Sequence, residues 1–144
     1  MAATKGSCAC GKIALEFTGE PQVVALCHCL DCQKWTGSAF TPNLIIPRKA
    51  LKLVKGTPKA WDATGASGKI NKHLFCGDCG SGLWSELEVM PDSLCLKAGC
   101  LDGGAASMGG KIGVEFYTKD RVTYLAGIEG AKQVEAFGGV AGGS

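Results

Sequence analysis

Seven cysteines packed into three short clusters constrain this chain more than any other feature. The clusters are Cys8-Ala9-Cys10, Cys27-His28-Cys29-Leu30-Asp31-Cys32 and Cys76-Gly77-Asp78-Cys79. Cys95 and Cys100 stand apart and bring the total to nine. Thiols this close are either joined to each other or bound to metal. An odd total leaves one thiol over in any complete disulfide scheme, and Met1 to Ser7 carry no apolar stretch of the kind that directs secretion. The expected compartment is therefore the reducing cytoplasm, where clustered cysteines read as metal ligands.

The spacings have a physical meaning. In a C-x-C on extended chain, residues i and i+2 face the same side, so two sulfurs converge on one ion. A C-x-x-C within a turn presents two sulfurs together with free backbone N–H groups. Gly77 and Gly80 flank such a turn and permit the positive φ it often needs. A closed structural zinc takes four protein ligands, whereas a catalytic zinc takes three and keeps a position open. Cys8, Cys10, Cys76 and Cys79 make a complete four-sulfur set, and Cys27, Cys29 and Cys32 remain as a three-sulfur set. The count suggests one closed and one open zinc. His28, Cys95 or Cys100 could instead complete the second set and make it structural too.

The remainder of the chain reads as all-β. Ile13, Leu15 and Phe17 alternate with Lys12, Ala14 and Glu16, the pattern of a half-buried strand. Further strands are expected at Gln22–Leu26, Ser38–Ile46, Ala50–Val54, Ala60–Ala63, Gly82–Val89, Ser93–Ala98 and Ile112–Tyr117, while Lys69–Phe75 leads into the third cysteine cluster. Pro42 marks an edge or bulge. Leu30–Thr36 reads as a short helical turn, and Ile128–Phe137 fits either a helix or a strand. Gly103–Ser107 reads as a flexible loop. One domain is expected over residues 1–137, followed by a Gly-rich flexible tail at 138–144. With 15 Lys+Arg against 13 Asp+Glu the net charge is +2, too little for a protein built around nucleic-acid phosphates. No apolar run reaches the roughly 18 residues of a membrane helix.

Gly6-Ser7-Cys8-Ala9-Cys10-Gly11-Lys12-Ile13, the run Cys27 to Phe40, and Phe75-Cys76-Gly77-Asp78-Cys79-Gly80-Ser81 together resemble the glutathione-dependent formaldehyde-activating (GFA-like) family. Gly99-Cys100-Leu101-Asp102 resembles a following segment of that family. The resemblance implies an Mss4-like β-tent, small antiparallel sheets held by a zinc knuckle. It implies a structural zinc on Cys8, Cys10, Cys76 and Cys79 and a catalytic zinc on Cys27, Cys29 and Cys32. It also implies carbon–sulfur lyase chemistry, joining formaldehyde and glutathione as S-hydroxymethylglutathione.

Three thiolates around a zinc dication leave a net negative charge, so water activation is not the best use of such a centre. It suits a soft ligand such as the glutathione sulfur, held against an aldehyde. Lewis-acid polarisation of the aldehyde oxygen is the competing version. His28 has the intrinsic pKa of a proton shuttle, although a residue between two ligands on extended chain should point away from the metal. Lys34 is a candidate for a glutathione carboxylate. Trp35, Trp61 and Trp84 read as core or pocket wall, His73 as structural or exposed, and Cys95 and Cys100 as small buried hydrophobes. The expected partners are small molecules, without nucleic acid or membrane. A larger electrophile or a glutathione conjugate in a biosynthetic pathway, and a zinc-stabilised binding module without catalysis, are the alternative readings.

Overall fold

The computed structural model describes residues 2–65, 68–109 and 111–136. Its strands are β1 (Thr4–Ser7), β2 (Ala14–Phe17), β3 (Val23–Cys27), β4 (Thr41–Pro47), β5 (Leu51–Lys55), β6 (Lys59–Thr64), β7 (Ile70–Phe75), β8 (Gly82–Leu87), β9 (Ser93–Lys97), β10 (Val114–Phe116) and β11 (Lys132–Val134). One α-helix, α1 (Leu30–Thr36), and short 3-10 turns complete the described residues. The expected tail at 138–144 and Phe137 lie outside them.

Two sheets form. The smaller has the order β1-β2-β5, and the larger runs β11-β10-β3-β4-β9-β8-β7-β6. The architecture is mainly β, as expected, but the sheets are not all small or all antiparallel. The larger has eight strands, and β10 pairs in parallel with both β3 and β11. Pro42 faces Leu26 of β3, while pairing with β9 begins only at Asn43. A residue without an N–H is thus placed where the strand has a neighbour on one side. Ile128–Phe137 contributes a strand, β11. Gly103–Ser107 is not a featureless loop, because a 3-10 turn covers Ala105–Met108.

Alternation along the strands divides the large sheet into two faces with different roles. Opposed residues point to the same side, so Leu74, Trp84, Leu96 and Leu44 form one row across β7, β8, β9 and β4. With Ile46 and Leu94 they pack against Ile13, Leu15 and Phe17 to form the main core. Each such fully buried side chain contributes about 1.5–3 kcal/mol of transfer free energy. The residues in between form the other face. There Trp61, His73, Ser85, Cys95 and Ile45 make a second row, over β6, β7, β8, β9 and β4. This face is not covered by the small sheet. It becomes the floor of a cavity beside α1.

Candidate metal centres

The three cysteine clusters come together in the two groups that ligand counting separates. Cys8, Cys10, Cys76 and Cys79 have their four sulfurs within 4.8 Å of one another, and so do Cys27, Cys29 and Cys32. Tetrahedral sulfurs about 2.3 Å from a zinc lie about 3.8 Å apart. The Cys8–Cys10 and Cys10–Cys76 sulfurs are separated by 3.6 and 3.7 Å, so the first group already has the spacing of a zinc site. Cys95 and Cys100 belong to neither group among the described residues.

The four-sulfur group is a pair of turns facing each other. Cys8 closes one by accepting the N–H of Gly11 on its carbonyl, at 3.0 Å. In the other, Gly80 adopts φ 79° and donates to the Cys76 carbonyl at 2.8 Å. Only Gly80 has the positive φ expected of both glycines. Gly77 lies against the Lys59 side chain, where a Cβ would stand 2.9 Å from a methylene that can swing aside. The Ser81 hydroxyl, 3.2 Å from the Cys79 sulfur, and then the Ser81 backbone lower the Cys79 thiol to about 5. Lys12 pairs with Asp78 at 3.4 Å on the outside of this group, an exposed contact of little weight.

The three-sulfur group sits where β3 ends and α1 begins. Cys27 closes the strand. Cys29 is the N-cap of the helix, its sulfur accepting from the Cys32 N–H at 3.2 Å. Gly37 ends the helix at φ 64° and donates to the Gln33 carbonyl. Hydrogen bonding from Cys27, then from Cys32, lowers the Cys29 thiol to about 3. The same contacts, with burial, push the Cys27 thiol far up. Without a cation, one proton leaves easily and the next is retained. Three thiolates this close need a positive ion, which is the chemistry of a metal-binding donor set.

His28 does not face the sulfurs' cavity. Its side chain is 2% exposed, with Nε2 2.8 Å from Glu115 Oε1 and Nδ1 sealed in without a partner. Burial works to raise the Glu115 carboxyl. The Gln133 amide, the Ile128 N–H, His28 and Arg121 nevertheless hold it below the usual carboxylate range. His28 thus ties the cysteine loop to β10 through Glu115.

A chamber of about 220 Å³ borders the three cysteines. It adjoins an outer cleft of about 1020 Å³, and Asp31, Trp35, Ala63, His73 and Lys97 line both spaces. Lys97 Nζ is held 2.9 Å from Asn43 Oδ1. His73 Nδ1 lies 2.7 Å from the Ser85 hydroxyl, and burial, then Lys97, lowers its pKa to about 4. Its ring stacks on Trp35 at 4.6 Å, with Trp61 alongside both. Lys34 lies on the rim of the outer cleft. Trp84 belongs to the main core, while Trp35 and Trp61 are cleft wall. Lys97 and Asn43 escape a reading of the sequence because they meet across two strands 54 positions apart. His73 carries a local signal, the alternation of Asn71, His73 and Phe75 toward the knuckle.

The fold and these sulfur groups define a mainly β protein with two cysteine sites suited to metal, one wedged between turns and one at a cavity. The model of the glutathione-dependent formaldehyde-activating enzyme family matches residues 3–120, and the chain belongs to that family. It is similar in fold to the crystal structure of a Rhodobacter sphaeroides protein from structural genomics, with a TM-score of 0.60 and 20% identity over 75% of this chain and 96% of that one. No curated protein is a match to this chain. Among the described residues, no helix is long and apolar enough to cross a membrane.

Proposed function

We propose that this chain is a zinc-dependent carbon–sulfur lyase that joins glutathione to an aldehyde, by default formaldehyde, giving S-hydroxymethylglutathione. The observation that carries this reading is the three-sulfur group bordering a chamber that shares its wall with an outer cleft. In this reading Cys8, Cys10, Cys76 and Cys79 hold a structural zinc, and Cys27, Cys29 and Cys32 hold a catalytic one. A zinc held by three thiolates supplies an electron-rich position suited to a sulfur ligand. The chain's own residues do the rest. The cleft confines both reactants, which is the main gain for an addition that already proceeds in solution. Lys97, fixed by Asn43, places a cation and N–H donors at the join of chamber and cleft. Neutral His73 stands beside it. Together they hold or move the proton that travels from the thiol to the aldehyde oxygen. Lys34 on the rim offers a contact for a glutathione carboxylate. His28 acts as a positioning residue, in place of the catalytic role its place in the sequence suggests.

Two-dimensional exchange NMR on formaldehyde and glutathione, with and without zinc-loaded protein, tests this. Exchange into S-hydroxymethylglutathione well above the spontaneous background, abolished in Cys29→Ser, is the expected result. No acceleration from protein shown to hold two zincs would retire formaldehyde as the substrate.

A further inference from the structure

The chamber beside the three cysteines is larger than formaldehyde needs, and part of its wall repels water. Its volume is about 220 Å³. A water molecule's share of the liquid is about 30 Å³, and a dry apolar cavity of about 150 Å³ accepts benzene. Formaldehyde has two heavy atoms and leaves most of this space unfilled. The apolar part of its wall is built from Ala25, Ile45, Leu87, Cys95, Phe116 and Tyr117. Ile45, Leu87, Cys95 and Tyr117 form an apolar cluster with Cys27, separate from the main core, and Phe116, Cys29 and Cys32 pack against it. The sulfurs are therefore embedded in the same apolar surface that lines the chamber. An aldehyde whose carbon meets a sulfur here can place its substituent in that chamber. With hydrogen as the substituent, the wall faces only water, which is unfavourable. The adjoining cleft is bordered by Trp35 and His73, whose rings stack on each other at 4.6 Å with Trp61 alongside, so this side of the site is aromatic as well.

We propose that the electrophile is an aromatic aldehyde, its ring lying in the inner chamber against Ile45, Leu87 and Phe116. This rests on the reading that the three-cysteine site takes the glutathione sulfur, and it names the second reactant. The thiol sulfur bonds to the carbonyl carbon, the C=O π bond breaks, and the thiol proton ends on the oxygen. The product is the aryl hemithioacetal, and the reverse reaction restores both reactants. No oxidant, reductant or further co-reactant takes part.

S-benzylglutathione and S-methylglutathione are stable stand-ins for the adducts of benzaldehyde and formaldehyde. Calorimetric titration of both into the metal-loaded full chain decides the matter. The expected result is binding of the benzyl compound about tenfold tighter or more, since six ring carbons move from water to an apolar wall. Filling the chamber with Leu87→Trp, or more gently with Ile45→Phe, is expected to bring that ratio toward one. Exchange NMR is expected to show a larger acceleration over background for benzaldehyde than for formaldehyde. Binding of S-methylglutathione with equal or weaker binding of the benzyl compound overturns the aromatic proposal and leaves the glutathione reading standing. Binding of neither compound overturns both. The ligand comparison uses the unaltered chain, so it decides even where a filled variant does not fold.

Discussion

His73 occupies two settings at once. On β7 it is one member of the row Trp61, His73, Ser85, and in the cavity it forms the join between chamber and cleft. Burial, reinforced by Lys97, takes its pKa from an ordinary 6.5 to about 4. The unfolded chain therefore binds a proton on this residue before the folded one does. Stability rises with pH across the window from about 4 to 6.5 and is lost as pH falls through it. Urea midpoints measured across that window should fall more steeply with acid in the native chain than in His73→Gln. Equal slopes would show that His73 is not held neutral. The sequence alone does not show this position's role, because burial, the larger cause, and the charge of Lys97 on β9, two strands away, both arise only in the assembled sheet. The opposite holds for the cysteines. Their meaning lies in short spacings, which are read without knowing what the remainder of the chain does.

At the scale of elements, the helix of Leu30–Thr36 is legible because its signals are local. Its N-cap, Cys29, and its terminating glycine, Gly37, both lie within a few residues of it. A Cβ at Gly37 would meet nothing within 4 Å, so only the φ of 64° penalises substitution. Gly37→Ala is therefore expected to cost about 1 kcal/mol in chemical denaturation. A loss near zero would mean that the helix end relaxes to another turn. The strands follow the same division. Ile13, Leu15 and Phe17 announce β2 by alternation, whereas Thr4–Ser7 carries no comparable apolar pattern, and β1 exists because β2 offers it an edge. Gly6 lets this strand approach closely, since a Cβ there would stand 2.8 Å from the Cys100 carbonyl oxygen. The parallel pairing of β10 with β3 and β11 is likewise a property of the assembled sheet. No pattern inside Val114–Phe116 selects its partners.

Taken as a whole, the molecule separates what holds it together from what it works with. One face of the large sheet is spent on the core, and the other lines the cavity beside the three-cysteine group. The two sulfur groups should therefore respond differently to removal. Cys76→Ser cuts a link between turns that lie 66 positions apart in sequence. It is expected to lower the melting temperature sharply, because metal-binding free energy at such a site is folding free energy. Cys29→Ser alters the cavity side and is expected to leave a folded chain with one zinc fewer and a much smaller change in melting temperature. Metal analysis paired with thermal melts checks both. Equal losses would mean that the three-sulfur group is as structural as the other.

The four-sulfur group also sets the order in which the chain can be completed. On a ribosome Cys8 and Cys10 precede Cys76, which follows Cys10 by 66 positions. At about 5–20 residues per second, the first two thiols wait roughly 3–13 s before the other half of their site has been made. In that interval they are a vicinal dithiol open to oxidation and to stray metal, with most of β3, β4 and the sheet around them still unformed. Reducing conditions, or a metal held early on two sulfurs alone, would protect them over that interval, whose length is set by the spacing of the cysteines along the chain.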